Sequence, residues 1–141
     1  MPRGKRNIDK IIVHHSASPK STTVDQIRDW HVNGRGWSDI GYHFIVLGDG
    51  TVANARPINK KGAHCYNHNG TSIGICVTGN TSQEPPNKLQ LESLWEKLKL
   101  LMEEYNLERS SVYGHRDFSA TECPGDMLYA ILQQWKQGLL S

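Results

Sequence analysis

The stretch IDKIIVHHS, residues 8–16, decides how the chain is read. Ile11, Ile12 and Val13 form an unbroken β-branched apolar run, so Ile8 to His15 is predicted as a buried strand. The run ends in His14 and His15, and a strand end holds an imidazole rigidly at the rim of a sheet. A second run, Ile73 to Thr78, also lacks polar alternation and is predicted as another central strand. Between the two, Thr23-Val24-Asp25-Gln26 has the residues of a capping box, which opens a helix. Val24, Ile27, Trp30 and His31 are predicted to share its buried face, and Gly34 and Gly36 to stop it.

Ile40 to Leu47 and Thr51 to Ala55 flank Gly48-Asp49-Gly50 and read as a hairpin. Lys60 to Gly70 reads as a surface loop, and Gly79 to Asn87, with Pro85 and Pro86, as a loop inside the domain. Lys88 to Tyr105 is predicted as a helix with Asn87 as N-cap. Its Leu91, Leu94, Trp95, Leu98, Leu101, Met102 and Tyr105 recur at three and four. Ser111 to Tyr113 reads as a short strand and Asp126 to Gln137 as a last helix, with Ile131 and Trp135 inward. The order β-α-β-β-β-α-β-α implies a single α/β domain with a mixed central sheet flanked by helices.

Composition narrows the function classes. The chain has 141 residues and a net charge of +2, with 37 % apolar and 21 % charged residues. That suits one soluble domain, and there is no run of basic residues of the kind that marks a nucleic-acid binder. The three cysteines, Cys65, Cys76 and Cys123, are too few and odd in number for a disulfide framework. Arg3, Lys5, Arg6 and Lys10 make residues 1–10 a basic arm ahead of a domain at 11–138. The arm is read as solvated, or as weakly attracted to an anionic polymer such as a cell envelope. No secretory h-region and no run of ~20 apolar residues is visible. The expectation is therefore no membrane insertion and a cytoplasmic start, with delivery left to another agent.

Two clusters carry chemistry. Val13-His14-His15-Ser16 closes the first strand. Gly114-His115-Arg116-Asp117, followed by Thr121-Glu122-Cys123-Pro124-Gly125, lies past a later one. A histidine of the first cluster, with His115 and Cys123 of the second, offers nitrogen, nitrogen and sulfur donors that suit one Zn²⁺ per chain and leave a fourth position for water, the pattern of a catalytic site. Cys65 reads as a loop thiol and Cys76 as core.

These clusters, with Gly41-Tyr42-His43-Phe44, Asn67-His68-Asn69 and Ser72-Ile73-Gly74-Ile75, resemble the N-acetylmuramoyl-L-alanine amidases. That family includes the phage lysozyme-type amidases and the animal peptidoglycan recognition proteins. The resemblance runs in order from about Ile11 to Trp135. It implies a mixed sheet with a groove across one face and zinc on His14, His115 and Cys123. It further implies Tyr42 as the active-site tyrosine. Thr121 stands where some phage relatives carry an oxyanion-stabilising lysine, and recognition-protein amidases also have Thr there. His64, Asn67 and Asn69 would line the groove and hold lactyl or stem-peptide carbonyls. His15 is read as structural, Arg116 and Asp117 as a local ion pair behind His115, and Trp37 as packing or groove wall. No dedicated general base is evident.

The implied activity is hydrolysis of the amide between the lactyl group of N-acetylmuramic acid and L-alanine. The chain would act as a monomeric phage or prophage endolysin held in the host cytoplasm until a holin opens the membrane. The alternative is a peptidoglycan-binding module without turnover. Some phage relatives also bind the phage RNA polymerase, and the sequence favours neither answer on that point.

Overall fold

The computed structural model describes residues 6–139. Among these residues five strands, β1 (Lys10–His15), β2 (Phe44–Val46), β3 (Val52–Asn54), β4 (Ser72–Val77) and β5 (Val112–Gly114), form one sheet in the order β3-β2-β4-β1-β5. β1 lies parallel to both β4 and β5, β2 is parallel to β4, and only the β2–β3 hairpin is antiparallel. The two runs read as central strands are therefore central, side by side, and buried on both faces.

Side-chain alternation splits the sheet between two cores. Ile11, Val13, Ile73, Ile75 and Val77 face α2 (Lys88–Tyr105) and α3 (Asp126–Lys136), meeting Leu94, Leu98, Leu128, Leu132 and Trp135. Each such leucine, fully removed from water, stabilises the fold by roughly 1.5–3 kcal/mol. The opposite face carries Ile45 and Cys76, packed on Ile27 of α1 (Val24–Asp29) and on Ile40. His14 pairs in register with Cys76 and shares that second face. A three-layer α/β/α domain results.

Both capping boxes form. Gln26 N–H donates to Thr23 Oγ1 at 3.1 Å, and Thr23 N–H donates to Gln26 Oε1 at 2.9 Å. At α2, Gln90 N–H donates to Asn87 Oδ1 at 2.8 Å and Asn87 N–H to Gln90 Oε1 at 3.1 Å. Asn87 Nδ2 also donates to Gly48 O, tying the helix start to the hairpin turn.

Three expectations are corrected. Trp30 is 44 % exposed and does not share the buried stripe, which runs from Ile27 to His31. From Trp30 to Gly34 the helix widens into a π turn, closed by Arg35 N–H on Trp30 O at 3.1 Å. In α3 the inward residues are Leu128, Leu132 and Trp135, and Ile131 is only half-buried. Arg6 is no solvated arm. Its guanidinium donates to the carbonyls of Ile58, Asn69, Gly70 and Ser72, clamping the 60–70 loop to the sheet. Arg3 and Lys5 lie outside the described residues. Among the described residues, no helix is long and apolar enough to cross a membrane.

Candidate metal centre

β1 and β5 are adjacent and parallel, with Val13 opposite Gly114, so both chains leave the sheet at the same rim. His14 sits near the end of β1, and His115 follows β5 directly, opening a single 3-10 turn, His115–Asp117. The loop beyond it folds back, held by Arg116 N–H on Cys123 O at 2.9 Å. Cys123 thereby meets His14 across 109 positions of sequence.

Among the described residues, His14, His115 and Cys123 form a group whose ligand atoms all lie within 4.8 Å of one another. His14 Nδ1 is 3.6 Å from Cys123 Sγ, and the two imidazole centroids are 4.6 Å apart. Zinc bonds of ~2.0–2.3 Å at a tetrahedral angle place a nitrogen and a sulfur donor about 3.6 Å apart. The donor set fits zinc on geometry and on chemistry.

The electrostatics agree. Burial, followed by the neighbouring imidazoles, holds His14 well below the usual histidine value, and burial lowers His115. Both rings are thus neutral near pH 7, as ligation requires. Burial pushes the Cys123 thiol up to about 12, partly opposed by the His15 N–H that donates to its sulfur at 3.4 Å and by Arg116. A dication beside the sulfur reverses that logic and favours the thiolate.

Tyr42 lies against this cluster, its ring centroid 5.1 Å from that of His14. Burial, then the Cys76 and Cys123 thiols, raise its pKa well above the usual phenol value, and its hydroxyl donates to Cys76. Thr121 is exposed on the returning loop, where its Oγ1 accepts Cys123 N–H at 3.2 Å and keeps its own proton free to donate.

The family model for N-acetylmuramoyl-L-alanine amidases matches residues 4–126. The chain belongs to this family. Its fold superposes on two solved relatives from Clostridium intestinale URNW. The N-acetylmuramoyl-L-alanine amidase LysC is 33 % identical, with 99 % of this chain and 92 % of that one covered and a TM-score of 0.86. The endolysine amidase LysCS is 32 % identical over 99 % and 90 % of the two chains, also at 0.86. Peptidoglycan-recognition protein SD of Drosophila melanogaster is 35 % identical over 116 residues, 82 % of this chain and 62 % of that protein. This amidase-family chain therefore spans less than two thirds of that relative.

The three residues read as groove-lining part company in this amidase-family fold. Asn67 is exposed, at a left-handed φ of 69°. Asn69 turns its Oδ1 inward, accepting the backbone N–H of both His64 and Cys65 at 2.9 Å, so that oxygen shapes the loop. His64 is buried, and both ring nitrogens are engaged: Nδ1 lies 2.8 Å from His14 Nε2, and Nε2 lies 3.2 Å from Ser72 Oγ. It has no nitrogen left for a substrate carbonyl. The signal that could have revealed this is Gly74, a glycine inside a buried strand. A Cβ there would sit 2.6 Å from the His64 ring.

Arg116 and Asp117 do not pair with each other. Arg116 reaches Asp126 at 2.9 Å and the carbonyl of Glu122, whereas Asp117 accepts Gly114 N–H at 3.0 Å and the Tyr129 hydroxyl at 2.6 Å. Adjacent residues of a tight turn point apart, and each ties down a different side of the His115 loop. His15 Nδ1 accepts Thr81 N–H at 3.1 Å, a structural contact. Trp37 packs its ring on His31 at 4.6 Å.

Two further buried histidines predict acid sensitivity. His31 Nδ1 accepts Gly41 N–H, and His43 Nδ1 accepts Gly74 N–H, so each is held neutral by the backbone. Burial lowers both to about 4, helped by Arg35 and Arg56 at His31 and, against the Lys60 carbonyl, by Arg6 and Arg56 at His43. Unfolded histidine titrates near ~6.5. Between about 6.5 and 4 the unfolded chain binds more protons, so stability is whole above that window and drains as pH falls through it. His43 alone accounts for about 3 kcal/mol of the loss. Urea midpoints of the metal-free protein should fall steadily from pH 7 to 4, and a flat profile would contradict the assignment.

Proposed function

We propose that the chain is a zinc-dependent N-acetylmuramoyl-L-alanine amidase that cleaves the bond between the lactyl group of N-acetylmuramic acid and L-alanine of the stem peptide. The observation that carries this reading is the His14, His115 and Cys123 group, which no fourth His, Cys, Asp or Glu joins among the described residues. A cage closed by four ligands is structural, and one left open is catalytic. Zinc held there supplies a Lewis acid for the scissile carbonyl and lowers the pKa of water toward ~7.

The chain's own residues supply the rest. Tyr42, protonated across the neutral range, donates to the oxyanion that develops on the carbonyl. Its present partner, the Cys76 thiol, is a weak acceptor and yields easily. Thr121 donates a second, uncharged hydrogen bond from the exposed loop. Asn67, exposed on its loop, would meet stem-peptide carbonyls.

Kinship with LysCS, named an endolysine, supports a role in host lysis, with one zinc per monomer and access to the wall only after the membrane opens. The competing reading, a recognition module without turnover, draws on the relatives named for recognition. The complete ligand set favours hydrolysis.

Mass spectrometry of purified sacculi after digestion tests the proposal. The expected products carry new amino termini on L-alanine and intact glycan strands. New reducing ends on sugars, or binding with no release, would overturn it.

A further inference from the structure

We propose that His64, with Ser72 behind it, is a positioning residue that dictates which nitrogen of His14 faces the metal. The inference rests on the zinc reading above. His14 Nδ1 is the nitrogen turned toward Cys123, at 3.6 Å, so its lone pair belongs to the metal. The ring proton then sits on Nε2, and His64 Nδ1, 2.8 Å away, accepts it. His64 consequently carries its own proton on Nε2 and donates to Ser72 Oγ at 3.2 Å. Ser72 in turn donates to the carbonyl of His68 at 2.6 Å.

The chain has one direction only. A carbonyl cannot donate, so the serine proton is committed to it, and every proton upstream is oriented in the same sense. Reversing the His14 tautomer would leave the His68 carbonyl without the serine proton, or set two nitrogen lone pairs against each other in a buried space.

The fold enforces the arrangement from three sides. Gly74 leaves the space that the His64 ring fills. Asn69 Oδ1 holds the His64 backbone N–H. Arg6 pins the carbonyls of Asn69 and Ser72. A metal-bound histidine commonly donates to a carboxylate, carbonyl or water. Here the acceptor is a neutral imidazole. With two neutral imidazoles and one thiolate, the zinc centre keeps a net positive charge for the substrate carbonyl, and a carboxylate partner would offset it.

The test measures zinc affinity by chelator competition, without substrate, on the full chain and on His64→Phe, His64→Gln and Ser72→Ala. His64→Phe, which fills the space and accepts nothing, should lose about 10–100-fold in affinity. His64→Gln, whose side-chain oxygen can accept, should recover most of it, and Ser72→Ala should fall between. Long-range 1H–15N spectra of the zinc-loaded parent should show His14 protonated on Nε2. Parent-like affinity in a folded His64→Phe, or zinc on His14 Nε2, would overturn the proposal. Should His64→Phe not fold, the Ser72→Ala affinity and the parent spectrum decide. Zinc bound as described with sacculi left uncut would overturn the amidase reading alone, with the role of His64 upheld.

Discussion

Cys123→Ser should abolish zinc binding and amidase activity together and leave the fold standing. Sulfur is the one donor of the group that a bound zinc would hold as an anion, and a serine hydroxyl does not ionise to replace it. Activity should fall at least ~10³-fold, the upper range for losing one preorganised electrostatic group. The fold survives because Cys123 lies on the returning loop, 9 % exposed, and contributes little to either core. Serine oxygen can still accept the His15 N–H that now reaches sulfur. The check is metal content by atomic emission, stem-peptide release from sacculi, and urea midpoints of the two metal-free proteins. Serine enzyme retaining zinc and more than a tenth of the activity would remove the thiolate from the account.

Tyr42→Phe should split the two readouts: zinc kept, and turnover down by about 10²–10³, the loss that follows deletion of one oxyanion donor. The ring remains, packed beside His14 and against the Ile27–Ile40–Ile45 cluster, so only the hydroxyl disappears. On the proposed role the hydroxyl meets charge that exists only in the transition state, so kcat and kcat/KM should drop equally with KM unchanged. Because the phenol titrates well above its usual range, the alkaline limb of the pH–rate profile belongs to another group and should persist in the variant. A kcat within about threefold of the parent would reduce Tyr42 to packing, since one lost oxyanion donor costs far more.

The elements were legible in the sequence because their signals are local. The three-and-four spacing from Leu91 to Tyr105, the capping boxes at Thr23 and Asn87, and the unbroken run from Ile11 to Val13 each lie within one element. Backbone hydrogen bonding and side-chain period act over that same range. The histidines closing the first strand and His115, just past a later one, could be picked out as chemically apt residues at strand ends, with Cys123 on the loop beyond, whereas Tyr42 came from the family resemblance.

What only the tertiary structure decided is where those side chains aim. His64 and His14 are 50 positions apart and His15 and Cys123 are 108 apart, so no periodicity links them. Hence His64 reads from the sequence as a substrate contact, whereas the structure buries it between His14 and Ser72. Arg6 likewise reads as a free arm and proves to be a clamp, and Arg116 pairs with Asp126 in place of its neighbour. By itself the sequence determined the strands and helices, their order, and a short roster of donors. The sheet order β3-β2-β4-β1-β5 then brought β1 and β5 side by side and set each donor's direction, because orientation depends on packing between segments far apart in the chain.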